Sequence, residues 1–369
     1  MGYIIDGIQN DALAAKKLDG FLLDGRPLLC VRFGGGHIND TYLVVDDTAR
    51  SYILQKINKK VFQDPLCVMR NIMAVTSHLT LSAESPRNML ELVPARGGGF
   101  WIVDGDGEYW RVYSFISDSI CYQKTENKAL FRESAAAFGS FQRKLTDFPA
   151  QTLKDTIPGF HDTPKRYASL REAVKADVCG RVKDASREID FAMEREALAG
   201  ALLTRHAEGA LPLRVTHNDT KLNNVLFDRR THKSLCVIDL DTVMPGFSVT
   251  DFGDSIRFGA TTAAEDERDL AKVTFSLELF ESYAEGFLSE CGAYLTADET
   301  ASLCDGAFTI TLENGVRFLT DYLSGDVYYR VGYDGHNLDR CRTQFKLAED
   351  MESSRDAMQS VIRRVIADI

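Results

Sequence analysis

The sequence predicts a two-lobed α+β fold, with a small antiparallel β-sheet lobe first and a larger, mostly helical lobe after it. Three observations predict it. Residues 28–116 alternate short β-branched and aromatic runs with Gly, Asp and Asn. After Asp118 long stretches with helical spacing of apolar residues take over. Strand signals then return only at 225–227 and 235–240.

In chain order, LLCVRF runs into GGGHIND, followed by TYLVVD, the polar turn DTAR and SYILQKIN. MLELV, FWIV, the turn DGDG and EYWRVYSFI complete a meander. One helix is expected to interrupt it at 65–81. Pro65 suits a first helical position, and Leu66, Met69, Ile72, Met73 and Leu79 approximate helical spacing. Beyond the join, placed near 114–122, helices are expected at 128–145, 164–176, 189–207, 267–290, 298–323 and from 337 to the end. The lobes are therefore expected at 1–117 and 118–369.

Composition narrows the function. A chain of 369 residues is long enough for two lobes. The formal net charge of −11 argues against nucleic acid or an anionic membrane as main partner, since both demand basic surface. The N-terminal stretch MGYIIDGIQNDALAAKKLDG has neither a basic leader nor an apolar segment, and no run reaches membrane-spanning length. The eight cysteines form no Cys-x-x-Cys pair, so neither zinc nor a disulfide scaffold is expected. These features suggest a reduced, cytoplasmic protein, expected to be monomeric.

The chemistry concentrates in VTHNDTKLNNVLFD (215–228) and VIDLDTVMPG (237–246). Asp219 precedes Asn224 by five residues. In phosphoryl transfer an Asp orients the acceptor hydroxyl and takes its proton, while a nearby Asn binds Mg²⁺. Asp239 ends an apolar strand, a rigid base for a carboxylate that holds Mg²⁺ against phosphates. Asp241 would share its face if the strand continued. Any one of these residues alone reads more simply as a turn or strand end. Their joint arrangement behind a β-rich lobe predicts a phosphotransferase site.

The pattern His217-x-Asp219-x4-Asn224, with Asp239 following, resembles the catalytic loop and metal aspartate of the aminoglycoside phosphotransferase and choline kinase superfamily. GGGHINDTY, ILQKIN, HNDTKLNNVLFD, VIDLDTVMPG with DFGDSIRF, and ENGVRFLTDYLSGDVYY are similar to the N-acetylhexosamine 1-kinase family. These segments span nearly the whole chain. The resemblance implies a bilobal protein-kinase-like fold with ATP between the lobes. It implies γ-phosphoryl transfer to the anomeric hydroxyl of N-acetylglucosamine or N-acetylgalactosamine, with Asp219 as base or positioner and Asn224 and Asp239 holding Mg²⁺.

The resemblance also gives the glycines a use. Gly34, Gly35 and Gly36 would cover the ATP phosphates, although a Gly-rich hairpin also forms for geometry alone. His37 and Asn39 would face the sugar. Lys56 is expected at the phosphates, with Gln55 on the opposite face of its strand. The helix at 65–81 has no acidic residue after Asp64, so the usual Lys–Glu pair of kinases lacks its acid. Asp251 would brace the catalytic loop. Arg317 is expected to contact the sugar through its fork of donors, unless it pairs with Asp321 at i+4, and Tyr328 is a second sugar candidate. A kinase for choline, homoserine or another sugar, or a non-catalytic nucleotide-binding module, are the alternatives.

Overall fold

A computed structural model describes residues 10–34 and 38–369. A short helix α1 (Ala12–Ala15) precedes β1 (Pro27–Arg32), β2 (Asp40–Asp46) and β3 (Ser51–Lys56). Then come α2 (Pro65–Thr80), β4 (Ile102–Val103) and β5 (Tyr109–Ser114). The five strands form one antiparallel sheet in the order β1-β2-β3-β5-β4. Strand alternation divides its residues between two cores. Cys30, Tyr42, Val44, Tyr52, Leu54, Trp110 and Val112 pack on one face with Leu18 and Phe21. Ile53 and Tyr113 face α2 on the other. Asp64 caps α2 by accepting the Cys67 N–H at 3.1 Å, with Pro65 in the first turn.

The chain crosses to the second lobe between Ser114 and β6 (Ser119–Ile120). There follow α3 (Lys128–Lys144), α4 (Thr163–Ala176), α5 (Ser186–Glu194) and α6 (Ala201–Ala207). The strands β7 (Arg214–Thr216), β8 (Val225–Asp228), β9 (Ser234–Val237) and β10 (Met244–Gly246) carry the motif residues. β6, β8 and β9 form one small sheet, and β7 pairs with β10. The remainder is α7 (Ser248–Gly259), α8 (Leu277–Cys291), α9 (Ala297–Ala301), α10 (Leu303–Leu323), α11 (His336–Ser353) and α12 (Arg355–Ala367).

The architecture is the mixed one expected, a sheet lobe followed by a helical lobe, but four segments differ in detail. MLELV forms no named strand; Leu92 makes a single bridge to Tyr113. The helix expected at 267–290 begins only at Leu277, where Ser276 caps it by accepting the Leu279 N–H at 3.2 Å. The stretch 189–207 breaks before α6, at Gly200. The stretch from 298 breaks at Ser302, whose hydroxyl donates to the Asp298 carbonyl. At the three helical stretches a capping or helix-weak residue outcompetes the apolar spacing.

The core beneath α2 also crosses the lobes. Ile57, Phe62, Met69, Ile72 and Val75 meet Phe141, Leu145, Val215, Leu240 and Val243 there. Asn71 of α2 adds polar ties, its Nδ2 donating to the carbonyls of Lys154 at 2.7 Å and Val243 at 2.8 Å.

Candidate active site

The segment after β7 turns sharply, with Asn218 in the left-handed region at φ 63°. Asp251 stabilises that turn from behind: one carboxylate oxygen accepts the His217 N–H at 2.8 Å and the Gln142 amide at 2.8 Å, and the other accepts the Asn218 N–H at 2.8 Å. Burial pushes Asp251 above the usual carboxylate range, against the pull of His217 and these donors. Asp254 accepts the Thr220 N–H at 2.9 Å and pairs with Arg257. His217 is fully buried. Its Nε2 donates to the Ile238 carbonyl at 2.9 Å, and its Nδ1 accepts the Asp219 N–H at 3.3 Å.

Asp219 projects from this braced loop. One carboxylate oxygen lies 2.9 Å from the Lys221 ammonium, and the other accepts the Asn224 amide at 2.9 Å. Burial alone would raise its pKa, but the Lys221 cation outweighs that and holds it below the ordinary value. Lys221 is held above its own ordinary value, chiefly by Asp219. Asp219 is therefore ionised at neutral pH. Because the Asn224 nitrogen is engaged by Asp219, its carbonyl oxygen is left to act as an acceptor.

Asn224 enters β8 as Asp239 leaves β9, and the Ile238 N–H donates to the Asn224 carbonyl at 2.9 Å, so the two sit at one end of the hairpin. Asp239 adopts φ 62°, ψ 58°, which turns the chain out of the strand. Desolvation, then the Asp241 and Asp219 carboxylates, push it up to about 7. Two oxygen donors, one of them a carboxylate crowded by neighbouring negative charge, suit a hard divalent cation that brings phosphates and waters as its other ligands. Among the described residues no cluster of three or more His, Cys, Asp or Glu forms a dedicated metal cage.

Two expectations are corrected by position, Lys56 at the phosphates and Asn39 free for a sugar, and two alternatives are excluded, Asp241 on a continued strand and an Arg317–Asp321 pair. The strand does not continue to Asp241. That residue sits buried in the 3₁₀ turn Leu240–Thr242 and lies 2.6 Å from Arg111. Lys56 faces away from this cluster, 3.2 Å from Asp40 on the Tyr42 and Leu54 side of the sheet; Gln55 faces inward. Asn39 does not hold its side chain free for a sugar. Its nitrogen donates to Asp241 at 2.6 Å, and its oxygen accepts the Asn58 N–H at 3.0 Å. Arg317 does not pair with Asp321, which instead accepts the N–H groups of Val327, Tyr328 and Tyr329 at 2.8–2.9 Å. Gly34 has the positive φ of 77° expected of a tight loop. Gly35, Gly36 and His37 lie outside the described residues.

Arg317, half-buried on α10, lies over the rings of Phe160 at 5.1 Å and Tyr329 at 5.8 Å. It makes no hydrogen bond or ion pair among the described residues. Glu313, one turn before it, is occupied by His161 at 2.9 Å and Thr163 at 2.6 Å. Burial and then the charge of Arg317 lower Arg166 below its ordinary value, so two guanidinium groups share this wall. Tyr328 is exposed, its ring 4.8 Å from that of Tyr329. Glu265, which pairs with Arg257 at 2.9 Å, helps to raise both Lys221 and Tyr329. Sequence reading missed Lys221, Phe160, Arg166, Tyr329 and Arg111. Only Lys221, two residues after Asp219, carried a local signal.

Residues 30–285 match the model of the phosphotransferase enzyme family. Solved structures share the fold. A microcompartment-associated aminopropanol kinase is 17% identical, with a TM-score of 0.59 over 94% of this chain and 98% of its own. An amicoumacin kinase solved with AMP-PNP, Ca²⁺ and Ami is 15% identical, TM-score 0.60, over 91% and 93%. A choline kinase from Cryptosporidium parvum is 13% identical, TM-score 0.55, over 96% and 98%.

Proposed function

Because the chain belongs to the phosphotransferase enzyme family, we propose that it is a Mg²⁺- and ATP-dependent kinase of the anomeric hydroxyl of N-acetylhexosamines. Its products would be the sugar 1-phosphate and ADP. Asp219, ionised and gripped at both oxygens, orients the C1 hydroxyl and accepts its proton as the oxygen attacks phosphorus. Asn224 and Asp239 hold the metal, which when bound neutralises charge on the phosphates. Lys221 adds a fixed cation beside the same carboxylate. Much of the rate then comes from holding hydroxyl and phosphate in line.

The observation that carries the choice of acceptor is the wall of Arg317 and Arg166 against Phe160 and Tyr329. A site for choline, ethanolamine or an aminoglycoside must neutralise a cation with carboxylates or an aromatic cage. Here the free guanidinium repels an ammonium and offers a rigid fork of donors to hydroxyl and acetamido oxygens, and flat rings suit a sugar face. Tyr328 extends the same surface. His37, following the glycines, is proposed as a further sugar contact. The segments that resemble the N-acetylhexosamine 1-kinase family favour the acetylated hexosamine over other neutral sugars.

A phosphorus NMR assay with Mg²⁺-ATP tests this against N-acetylglucosamine, N-acetylgalactosamine, glucose, galactose, choline and homoserine. A sugar 1-phosphate signal with either N-acetylhexosamine, absent with Asp219→Asn, is the expected result. Turnover of choline or homoserine alone would overturn the acceptor while leaving the phosphotransfer site standing.

A further inference from the structure

The sequence leaves the nucleotide site without its usual ion pair: Lys56 faces outward and α2 carries no acid after Asp64. The structure fills the gap from a different strand. Arg111 on β5 is directly opposite Gln55 on β3 and is 1% exposed. Its Nε and Nη2 both donate to the Gln55 carbonyl oxygen, at 3.0 and 2.8 Å, and Nη2 lies 2.6 Å from Asp241. Nη1 lies 4.0 Å from the Met69 sulfur, so α2 presents a thioether where a carboxylate would otherwise stand.

Asp241 is the only acidic residue that pairs with this guanidinium among the described residues, and it lies two positions past Asp239. The intervening turn has little freedom of its own. Asp239 is left-handed, Leu240–Thr242 is a 3₁₀ turn, and the Thr242 hydroxyl donates to the His217 carbonyl at 2.7 Å. The second Asp241 oxygen accepts from Asn39, which adjoins the glycine loop. One buried carboxylate thus ties the sheet, Asn39 just before β2 and the metal turn together.

We propose that Arg111 is the positioning residue of the nucleotide–metal site: acting through Asp241, it fixes the turn that presents Asp239 and replaces the lysine–glutamate pair. It rests on the reading of Asp239 as a metal ligand. Arg111 itself touches no phosphate, because its donors are engaged and its guanidinium is sealed from solvent. Removing it leaves Asp241 buried and unpaired, and the turn relaxes to relieve that charge. Supporting groups of this kind typically change metal affinity by about 10–100-fold.

The test is Mn²⁺-ADP binding by calorimetry, which needs no acceptor, for Arg111→Gln, Arg111→Lys, Asp241→Asn and the Arg111→Gln/Asp241→Asn double variant, with melting curves confirming the fold. Each single neutral variant is expected to weaken binding about 10–100-fold, with sugar KM changed less than about twofold. The double variant is expected to be no worse than the poorer single one, because the pair acts as a unit. Arg111→Lys should recover part of the loss. The double variant carries no uncompensated charge, so it serves where a single variant does not fold. Unchanged Mn²⁺-ADP affinity, losses that multiply in the double variant, or an equal rise in sugar KM would each overturn the role. An Asp239→Asn control separates the premises: if it binds Mn²⁺-ADP normally, the metal reading fails and this inference with it. If it does not bind while the Arg111 variants do, the inference alone falls.

Discussion

Asp219 and Asp239 are both carboxylates of one crevice, yet their environments drive them in opposite directions. Lys221 keeps Asp219 charged, while desolvation with Asp241 and Asp219 raises Asp239 to about 7. The folded protein therefore holds the Asp239 proton more tightly than the unfolded chain, whose carboxyl titrates near 3.8. That contribution to stability is full below about pH 4 and is lost as pH rises through 7. A divalent cation competes for the same oxygens. Calorimetric titration should show Mn²⁺-ADP affinity rising with pH towards 7 and then levelling, with proton release on binding. Affinity independent of pH from 5 to 8 would contradict the assigned coupling. For Arg317, replacement by Lys keeps the charge and loses the planar fork. Steady-state kinetics should show sugar KM raised about tenfold or more with the KM for ATP little changed.

Among the elements, the α7–α10 packing carries the catalytic loop. Asp251 and Asp254 on α7 hold the loop's N–H groups, and α10 carries Arg317. The two helices approach closely at glycines: a Cβ on Gly253 would lie 2.6 Å from the Gly306 carbonyl carbon. Gly253→Ala must push the helices apart or strain them, at a cost of about 1–3 kcal/mol. Denaturant unfolding measures that loss, and kcat should fall with it as the loop loses its brace. An unchanged midpoint would show that the helices absorb the methyl. Asp321 plays a parallel part at the far end of α10, where its carboxylate gathers three N–H groups and folds Tyr328 and Tyr329 back towards Arg317. This explains why the acid of the TDYL segment is not the partner of the arginine one turn earlier.

For the whole molecule, the lobes are not loosely hinged. The middle core takes Ile72 and Met69 from one and Val215, Leu240 and Val243 from the other, and the Arg111–Asp241 pair is buried beside it. Apolar area shared across the junction makes each lobe's stability depend on the other. Scanning calorimetry is expected to give a single transition, with calorimetric and van't Hoff enthalpies in agreement. Two resolved transitions would show independent lobes. Saturation with Mg²⁺-ADP at one hundred times its Kd should stabilise that transition by about 2.7 kcal/mol.

The sequence by itself determined the order of the lobes, the helix at α2 with its Asp64 cap and Pro65, and the spacing of Asp219, Asn224 and Asp239. These are local: caps and apolar periodicity need no distant partner, and the spacing of a motif is read along the chain itself. Tertiary structure decided which side chains are free to meet a ligand. Gln55 and Lys56 are neighbours on one strand, and only the packing of α2 against a particular face tells inward from outward. Asp239 and Asp241 look equivalent in VIDLD until the chain turns left-handed and one is buried against Arg111, 130 residues earlier in the chain. Asn39 became a brace because Asp241 lies beside it, 202 residues away in sequence. Buried charges must find partners wherever the fold brings them, and that pairing is a property of the assembled core rather than of any local stretch.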